Sequence, residues 1–325
     1  MVSQRPPLTL VTGTSGFAGA AIGAELRARG HRVIGLSRGA PRPGACDVAL
    51  AHDMAHPLPD DLPQPDYIVH CAALSSPWAA PADYIRNTVL PVRHLADFLR
   101  ARPVRRLVLI SSTAVHYRLA DQTGLTEESP LPRPAVNHYA AAKQQAEALV
   151  AGLDLPVAVL RPRALFGPGD TVVFPRILHA ARAGLLPRIR RPDGGLAVSD
   201  LLYVGNLAAW VARAIAAEVS GTFVLTNDAP VVTYDLLDQV FDALSIPRPQ
   251  REVGLGTAML AARGFEWHSG LFRRWREPPV TRFGVASLAL SKTFDITRAK
   301  AALGPPEVRM EDGIARFIDW QRRQA

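Results

Sequence analysis

The strongest constraint in the sequence is Thr12-Gly13-Thr14-Ser15-Gly16-Phe17-Ala18-Gly19, set between an apolar run, Leu8–Thr12, and a stretch with helical spacing, Gly16–Arg29. Glycines at intervals of three let a strand turn tightly into a helix. They also let backbone approach a pyrophosphate, to which the helix N-terminus offers free N–H groups and its positive dipole end. A lone glycine motif says little, but one with a strand before it and a helix after it marks a dinucleotide site. Gly13, Ser15, Gly16, Phe17 and Gly19 are therefore the candidate phosphate contacts. A tight strand–helix turn without a ligand is the plainer alternative.

The pattern after this turn fits the same reading. Apolar runs at Arg32–Leu36, Asp47–Ala49, Tyr67–Cys71, Arg106–Ser111 and Val157–Leu160 read as strands, and Ala82–Arg100 and His138–Ala151 read as helices. Continuously apolar strands alternating with helices predict an α/β fold with a doubly wound parallel sheet covered on both faces. Pro57–Pro65 and Pro130–Pro134 read as loops. Beyond Gly167–Asp170 the segments become irregular and richer in Arg and Pro. Residues 1–166 are expected to form the cofactor domain, with 200–225 returning to it. Residues 167–325 are expected to form a smaller, partly helical substrate lobe. The aromatic residues of 251–280 read either as a pocket or lid or as ordinary core.

Composition excludes several classes. Two cysteines, Cys46 and Cys71, cannot make a disulfide scaffold or a multi-cysteine metal site, and no metal is expected. Apolar runs are too short for a membrane span, and the polar start Met1–Pro7 does not read as a signal peptide. A reducing cytoplasm is the simplest home. The net charge of +8 comes with only three lysines among 37 basic residues, Lys143, Lys292 and Lys300. The scattered arginines fit a GC-rich coding bias better than a nucleic-acid surface, since no binding motif accompanies them.

One of the three lysines falls in Tyr139-Ala140-Ala141-Ala142-Lys143. Positions i and i+4 share a helix face, so phenol and ammonium can address one pocket. A nearby ammonium favours the phenolate and lowers the tyrosine pKa, which suits proton transfer to a substrate oxygen. Ser111-Ser112-Thr113 ends a predicted parallel strand, where ligands of open α/β sheets bind.

With these residues in view, the chain resembles the extended short-chain dehydrogenases/reductases of the NAD-dependent epimerase/dehydratase superfamily. The carriers are the GxxGxxG turn, the YxxxK pair, Arg161-Pro162, Gly167-Pro168-Gly169 and Asp200–Asn206. The resemblance implies a Rossmann-type fold and a catalytic set of Thr113, Tyr139 and Lys143. Tyr139 would be the acid/base, Lys143 would lower its pKa and hold the nicotinamide ribose, and Thr113 would orient the substrate oxygen. It further implies cofactor contacts from Asp53, Met54, Ala72, Ala73, Asn87 and Pro162. Pro91 stands where the family has a threonine, so the helix near Asn87 is expected to kink.

Two departures point away from sugar-nucleotide chemistry. Ala164 replaces the asparagine that many such enzymes use for the sugar-nucleotide phosphate, and Ala114-Val115 stand where dehydratases carry Asp-Glu. Pro278–Phe283 and Phe294–Thr297 instead resemble the 3β-hydroxysteroid dehydrogenase-like branch. The expected activity is interconversion of a secondary alcohol and a ketone on a hydrophobic small molecule. The alternatives are a sugar-nucleotide epimerase and a nucleotide sensor without turnover. The second strand ends in Ser37-Arg38, with Arg42 close behind and no carboxylate, which favours NADP(H) over NAD(H). A homodimer through Ala82–Arg100 and His138–Ala151 is implied by the resemblance.

Overall fold

The computed structural model describes residues 5–324, so the first four residues of the polar start lie outside the described residues. Strands β1 (Leu8–Thr12), β2 (Arg32–Ser37), β3 (Val48–Ala51), β4 (Tyr67–His70) and β5 (Arg106–Ile110) form one parallel sheet with Val157–Pro162 and Gly221–Leu225. The spatial order is β3-β2-β1-β4-β5, then Val157–Pro162, then Gly221–Leu225. The fold is thus the expected Rossmann-type α/β fold. β1 lies between β2 and β4, so the chain reverses its winding direction there, and a crevice opens at the carboxyl ends of those two strands.

The sheet is buried because its residues leave no other choice. Leu10, Val11, Val33, Ile68, Val69, Leu107 and Val108 are all fully buried, with helices on both faces. Helix α1 (Phe17–Ala28) and the helix Val204–Ala216 pack together on one face. The helices Leu90–Ala101 and His138–Ala151 contact each other and cover the other. A separate aromatic cluster of Phe166, Phe174, Tyr203, Phe241 and Phe317 holds the later part of the chain together, with Phe174 and Phe317 ring centroids 4.5 Å apart.

The helix near Asn87 accommodates Pro91 by a defined irregularity. Residues Pro81–Tyr84 are α-helical, Ile85–Val89 form a π-turn, and α-helix resumes over Leu90–Ala101. In the π-turn the Leu90 N–H reaches back five residues to the Ile85 carbonyl. Pro91 then sits in the first turn of the resumed helix, where its missing N–H breaks no bond.

The aromatic residues Phe265, Trp267 and Phe272 of the region 251–280 are not core. The region forms a short strand, Glu252–Gly254, and an 18-residue helix, Leu255–Phe272. Only Ala258, Ala262 and Ser269 of that helix are buried, whereas Leu260, Phe265, Trp267, Leu271 and Phe272 are exposed. Among the described residues no helix is long and apolar enough to cross a membrane, and no group of three or more His, Cys, Asp or Glu could hold a metal.

Candidate active site

The glycine turn is closed to the point where side chains do not fit. Gly13 has φ +77°, and a Cβ on it would lie 3.0 Å from the Ala72 nitrogen. On Gly19 a Cβ would lie 2.3 Å from the Gly13 carbonyl oxygen. Gly13 N–H donates to Leu36 O at 2.7 Å and Gly16 N–H to Gly13 O at 2.9 Å, which fixes the loop over the ends of β1 and β2. Thr12 Oγ1 accepts from the N–H groups of Cys71 (3.1 Å) and Ala72 (3.0 Å), tying the end of β4 to the turn. No side chain caps the N-terminus of α1 at Gly16. Its first N–H groups therefore face the crevice beside Ser15 and Phe17 and suit a pyrophosphate.

Around the end of β2 the structure brings Arg38 and Asn87 together. Arg38 Nη1 donates to Asn87 Oδ1 at 2.9 Å, and Asn87 Nδ2 donates to Asp83 O at 2.8 Å. The π-turn that accommodates Pro91 thus carries the residue that holds Arg38. Ser37 is buried and donates its hydroxyl to Gly39 O at 2.8 Å. Arg42 donates to Gly169 O at 2.9 Å, linking this corner to the Gly167–Gly169 turn. Asp53 accepts from Ala55 N–H (3.1 Å) and pairs with Arg86 (2.9 Å), and these bonds hold its carboxyl below the usual range. Met54 is buried beside it.

The helix His138–Ala151 begins with an Asn137 cap, whose Oδ1 accepts from Ala140 N–H at 2.8 Å. Four residues apart on that helix, Tyr139 and Lys143 face the end of β5. Lys143 is buried and its ammonium donates to Ile110 O at 2.9 Å. Burial lowers its pKa to about 8. Tyr139 is half-buried. Burial raises its phenol pKa, and the nearby Ser112 hydroxyl opposes that rise. The Tyr139–Lys143 spacing predicts a phenol pKa lowered by the ammonium. In the structure burial dominates, and the hydroxyl at the phenol belongs to Ser112.

Thr113 is therefore not where the sequence reading put it. It is 1% exposed, and its hydroxyl donates inward to Pro162 O at 3.4 Å. Ser112, one residue earlier, is extended, half-buried and open to the cleft, while its Oγ accepts from Ala114 N–H at 3.2 Å. Successive residues of an extended chain point to opposite sides, so a slip of one residue exchanges the inward and outward hydroxyls. Neither Thr113, Ala114 nor Val115 is a carboxylate.

The height of the helix over the sheet is set by a buried ion pair that the sequence reading missed. Arg161 makes a two-pronged contact with Glu147, Nε to Oε1 at 3.0 Å and Nη2 to Oε2 at 2.6 Å. Ser111 donates to the same carboxylate, and His116 Nε2 lies 2.9 Å from Arg161 Nη1. Burial and the Arg161 charge push His116 down to about 4, so it is neutral near pH 7. Glu147 is one turn beyond Lys143, so this bond fixes that face of the helix against the strand Val157–Pro162. The Ser/Thr, Glu and Arg were visible as residues, but nothing in their spacing announced the pairing.

Aromatic rings wall the cleft beside Tyr139. Trp275 packs against Trp78 at 5.3 Å and against His138 at 5.6 Å, and Tyr84 lies 6.3 Å from Tyr139. Arg176 bridges Glu277 (3.1 Å) and Ser76 Oγ (3.3 Å) across the same wall. Ala164, with φ +30°, has no polar side chain to offer there.

A glycine-lined nucleotide cradle at a parallel-sheet switch point, beside a Tyr-x-x-x-Lys helix, defines a dinucleotide-dependent enzyme of the Rossmann class. The chain belongs to the NAD dependent epimerase/dehydratase family, whose sequence pattern matches residues 9–225. It is 30% identical to a 2-alkyl-3-oxoalkanoate reductase of Stenotrophomonas maltophilia, over 95% of this chain and 97% of that protein. It is 29% identical to the decarboxylating sterol-4-alpha-carboxylate 3-dehydrogenase of Saccharomyces cerevisiae, over 84% of this chain and 81% of the relative. In fold it matches the Bordetella bronchiseptica enzyme WbmH in complex with NAD+, with a TM-score of 0.75 and 19% identity over 98% of this chain and 100% of that one.

Proposed function

We propose that the protein interconverts a secondary alcohol and a ketone on a hydrophobic small molecule, using NADP(H) in preference to NAD(H). The observation that carries this reading is the meeting of Ser112, Tyr139 and Lys143 at the carboxyl end of β5, next to the glycine cradle. The nicotinamide cofactor supplies or accepts the hydride. In reduction Tyr139 donates its proton to the substrate oxygen, and in oxidation it takes that proton back. A raised phenol pKa keeps Tyr139 protonated and ready to act as the acid near pH 7. Ser112 donates a hydrogen bond to the same oxygen. Lys143 holds the ribose and adds positive charge near the phenol.

The aromatic wall of Trp78, Trp275 and Tyr84 favours an apolar substrate body. Both reductase and dehydrogenase relatives carry names that describe hydride chemistry on lipid-like acids or sterols, which supports the same class. No carboxylate stands beside the reacting hydroxyls for an elimination. For the phosphorylated cofactor, Arg38 oriented by Asn87 is the guanidinium that meets a 2′-phosphate. Residues 1–166 with 200–225 form the cofactor domain in this reading, and a homodimer joins through the helices Ala82–Arg100 and His138–Ala151.

The test is turnover on a panel of long-chain and cyclic ketones with each cofactor, against UDP-sugars as the competing substrates. Wild type should reduce a ketone with kcat/KM at least about tenfold higher for NADPH than for NADH, a difference of roughly 1.4 kcal/mol. Ser37→Asp/Arg38→Ala should lose that margin. Epimerisation of a UDP-sugar without ketone reduction would reject the reading.

A further inference from the structure

The helix Leu255–Phe272 is packed on one side and bare on the other, and the two sides invert the usual arrangement. Its buried contacts are small: Ala258, Ala262 and Ser269. Ala258 and Ala262 rest on Ile189, Val285 and Ala289. Its large side chains face outward, with Leu260 72% exposed, Trp267 64%, Leu271 61% and Phe272 67%. At about 100° per residue, Leu260, Trp267 and Leu271 fall within roughly 40° of one another around the helix, opposite the buried three. Phe272 continues the patch, its ring 5.8 Å from Trp267 and 5.5 Å from His268. Scattered exposed apolar residues are ordinary, but an aligned stripe of leucine and tryptophan on one helix marks a docking face.

Charge identifies the partner. Arg263 flanks the stripe, and Arg273, Arg274 and Arg276 follow its end, all exposed. The helix carries one carboxylate, Glu266, and it is neutralised by Arg282, whose Nε lies 2.6 Å away and whose backbone N–H donates at 2.7 Å. An apolar stripe with tryptophan near its centre and an uncompensated arginine border matches an interface where acyl chains lie under anionic headgroups. A second copy of this same face would bring its arginines against one another.

The position of the helix fits that partner. Its C-terminus leads directly into Arg274 and Trp275, two successive residues with positive φ (+47° and +62°). Ser269 secures this turn: its carbonyl accepts from Trp275 N–H at 3.1 Å, and its hydroxyl donates to Arg276 O. The turn places Trp275 on Trp78 at the cleft wall. The bare stripe and the cleft wall are thus the two ends of one rigid segment.

We infer that the face Leu260–Trp267–Leu271–Phe272, bordered by Arg263, Arg273, Arg274 and Arg276, docks the protein peripherally on an anionic lipid bilayer. The helix lies in the plane of the headgroups and does not cross them. Docking does not depend on the reaction assigned to the cleft.

The experiment is co-sedimentation of the full chain with phosphatidylcholine vesicles, with and without phosphatidylglycerol, at low and high salt. Binding should need phosphatidylglycerol and fall at least tenfold at high salt, where the arginines are screened. The variant Leu260→Asp/Trp267→Asp/Leu271→Asp should lose binding at least tenfold while retaining its circular dichroism and cofactor affinity. Arg273→Ser/Arg274→Ser tests the border independently and should weaken binding severalfold. Wild type remaining in the supernatant with both vesicle types, or equal binding by the aspartate variant, overturns the proposal. So does a wild type whose mass, measured by light scattering without lipid, falls to a smaller species in the aspartate variant, because a second copy then covers the face. Turnover of a water-soluble ketone is measured in parallel, so loss of docking and loss of the assigned reaction are separately visible.

Discussion

The turn Gly13–Gly19 and the helix Leu255–Phe272 meet their surroundings in opposite ways. In the turn the backbone has closed until a single Cβ collides with main chain, 2.3 Å from Gly13 O at Gly19. The helix leaves its largest side chains mostly in solvent. The first is shape fixed in advance for one rigid ligand group. The second is a surface whose apolar side chains contribute little to folding, because they stay in water when the chain folds. Sequence change should therefore be costly to the fold and chemistry at the crevice and nearly free for both along the helix.

The sharpest test of that contrast lies at the phenol. Tyr139→Phe should reduce kcat by roughly 10²–10⁴-fold and leave cofactor affinity nearly unchanged, because it removes only the proton-transferring hydroxyl. Ser112→Ala should lower kcat more than Thr113→Val does. Thr113→Val should chiefly lower stability, since its buried hydroxyl donates to Pro162 O. Steady-state kinetics and thermal melts of the three variants separate these outcomes. A Thr113→Val enzyme that folds normally yet loses more turnover than Ser112→Ala would return the catalytic hydroxyl to Thr113.

Next in size is Gly19→Ala. The new methyl meets backbone, which cannot swing aside, so the turn must open. Overpacking of this kind costs about 1–3 kcal/mol. The expected result is a lower denaturation midpoint together with at least tenfold weaker cofactor binding by fluorescence titration. A Gly19→Ala protein with wild-type affinity would mean that the cradle is not the phosphate site.

A third test uses pH. Burial holds Lys143 at about 8, below its ordinary 10.5. Below pH 8 the lysine is charged in both folded and unfolded chains, and the folded state bears the full desolvation penalty. Between about 8 and 10.5 the unfolded chain binds more protons than the folded one, so this group makes stability rise with pH. Its share of the slope is at most about 1.4 kcal/mol per pH unit. Lys143→Met should therefore show a smaller gain in urea stability from about pH 8 to about pH 9.5 than wild type. Lys292, pushed to about 8 by its own burial, preserves the remainder of the gain. An unchanged slope would place Lys143 in a wetter environment than the structure gives it.

Much of the crevice was legible in the sequence because its signals are local. Glycines every three residues and Tyr139/Lys143 at i, i+4 each fix geometry within one or two turns of chain. Ser112 was not resolved from Thr113, because the facing of an extended segment depends on register, and neighbouring hydroxyls look alike in sequence. The Glu147–Arg161 pair bridges a helix to the following strand and the Trp78–Trp275 contact joins distant parts of the chain, so no regular spacing reports them. Pro91 was recognised as a disturbance, but the π-turn that accommodates it was not. The helix Leu255–Phe272 was obscured for a different reason. Its buried face is built of small residues and its exposed face of large apolar ones, so periodicity could not tell inside from outside.

The smallest predicted effect comes from that helix and has the opposite sign to Gly19→Ala. Gly264 lies in the middle of Leu255–Phe272, is exposed, and would have nothing within 4 Å of an added Cβ. Glycine in a helix interior is less favourable than alanine by roughly 0.5–1 kcal/mol, because the unfolded chain has more freedom to lose. Gly264→Ala should thus raise the urea midpoint by a corresponding amount and leave kcat and KM on a soluble ketone within about twofold. Gly19→Ala and Gly264→Ala make the same chemical change, so their difference isolates surroundings from propensity. A destabilised Gly264→Ala protein would show that the bare face is covered in solution, by a second copy or by the chain itself, and the contrast between crevice and helix would fail at that point.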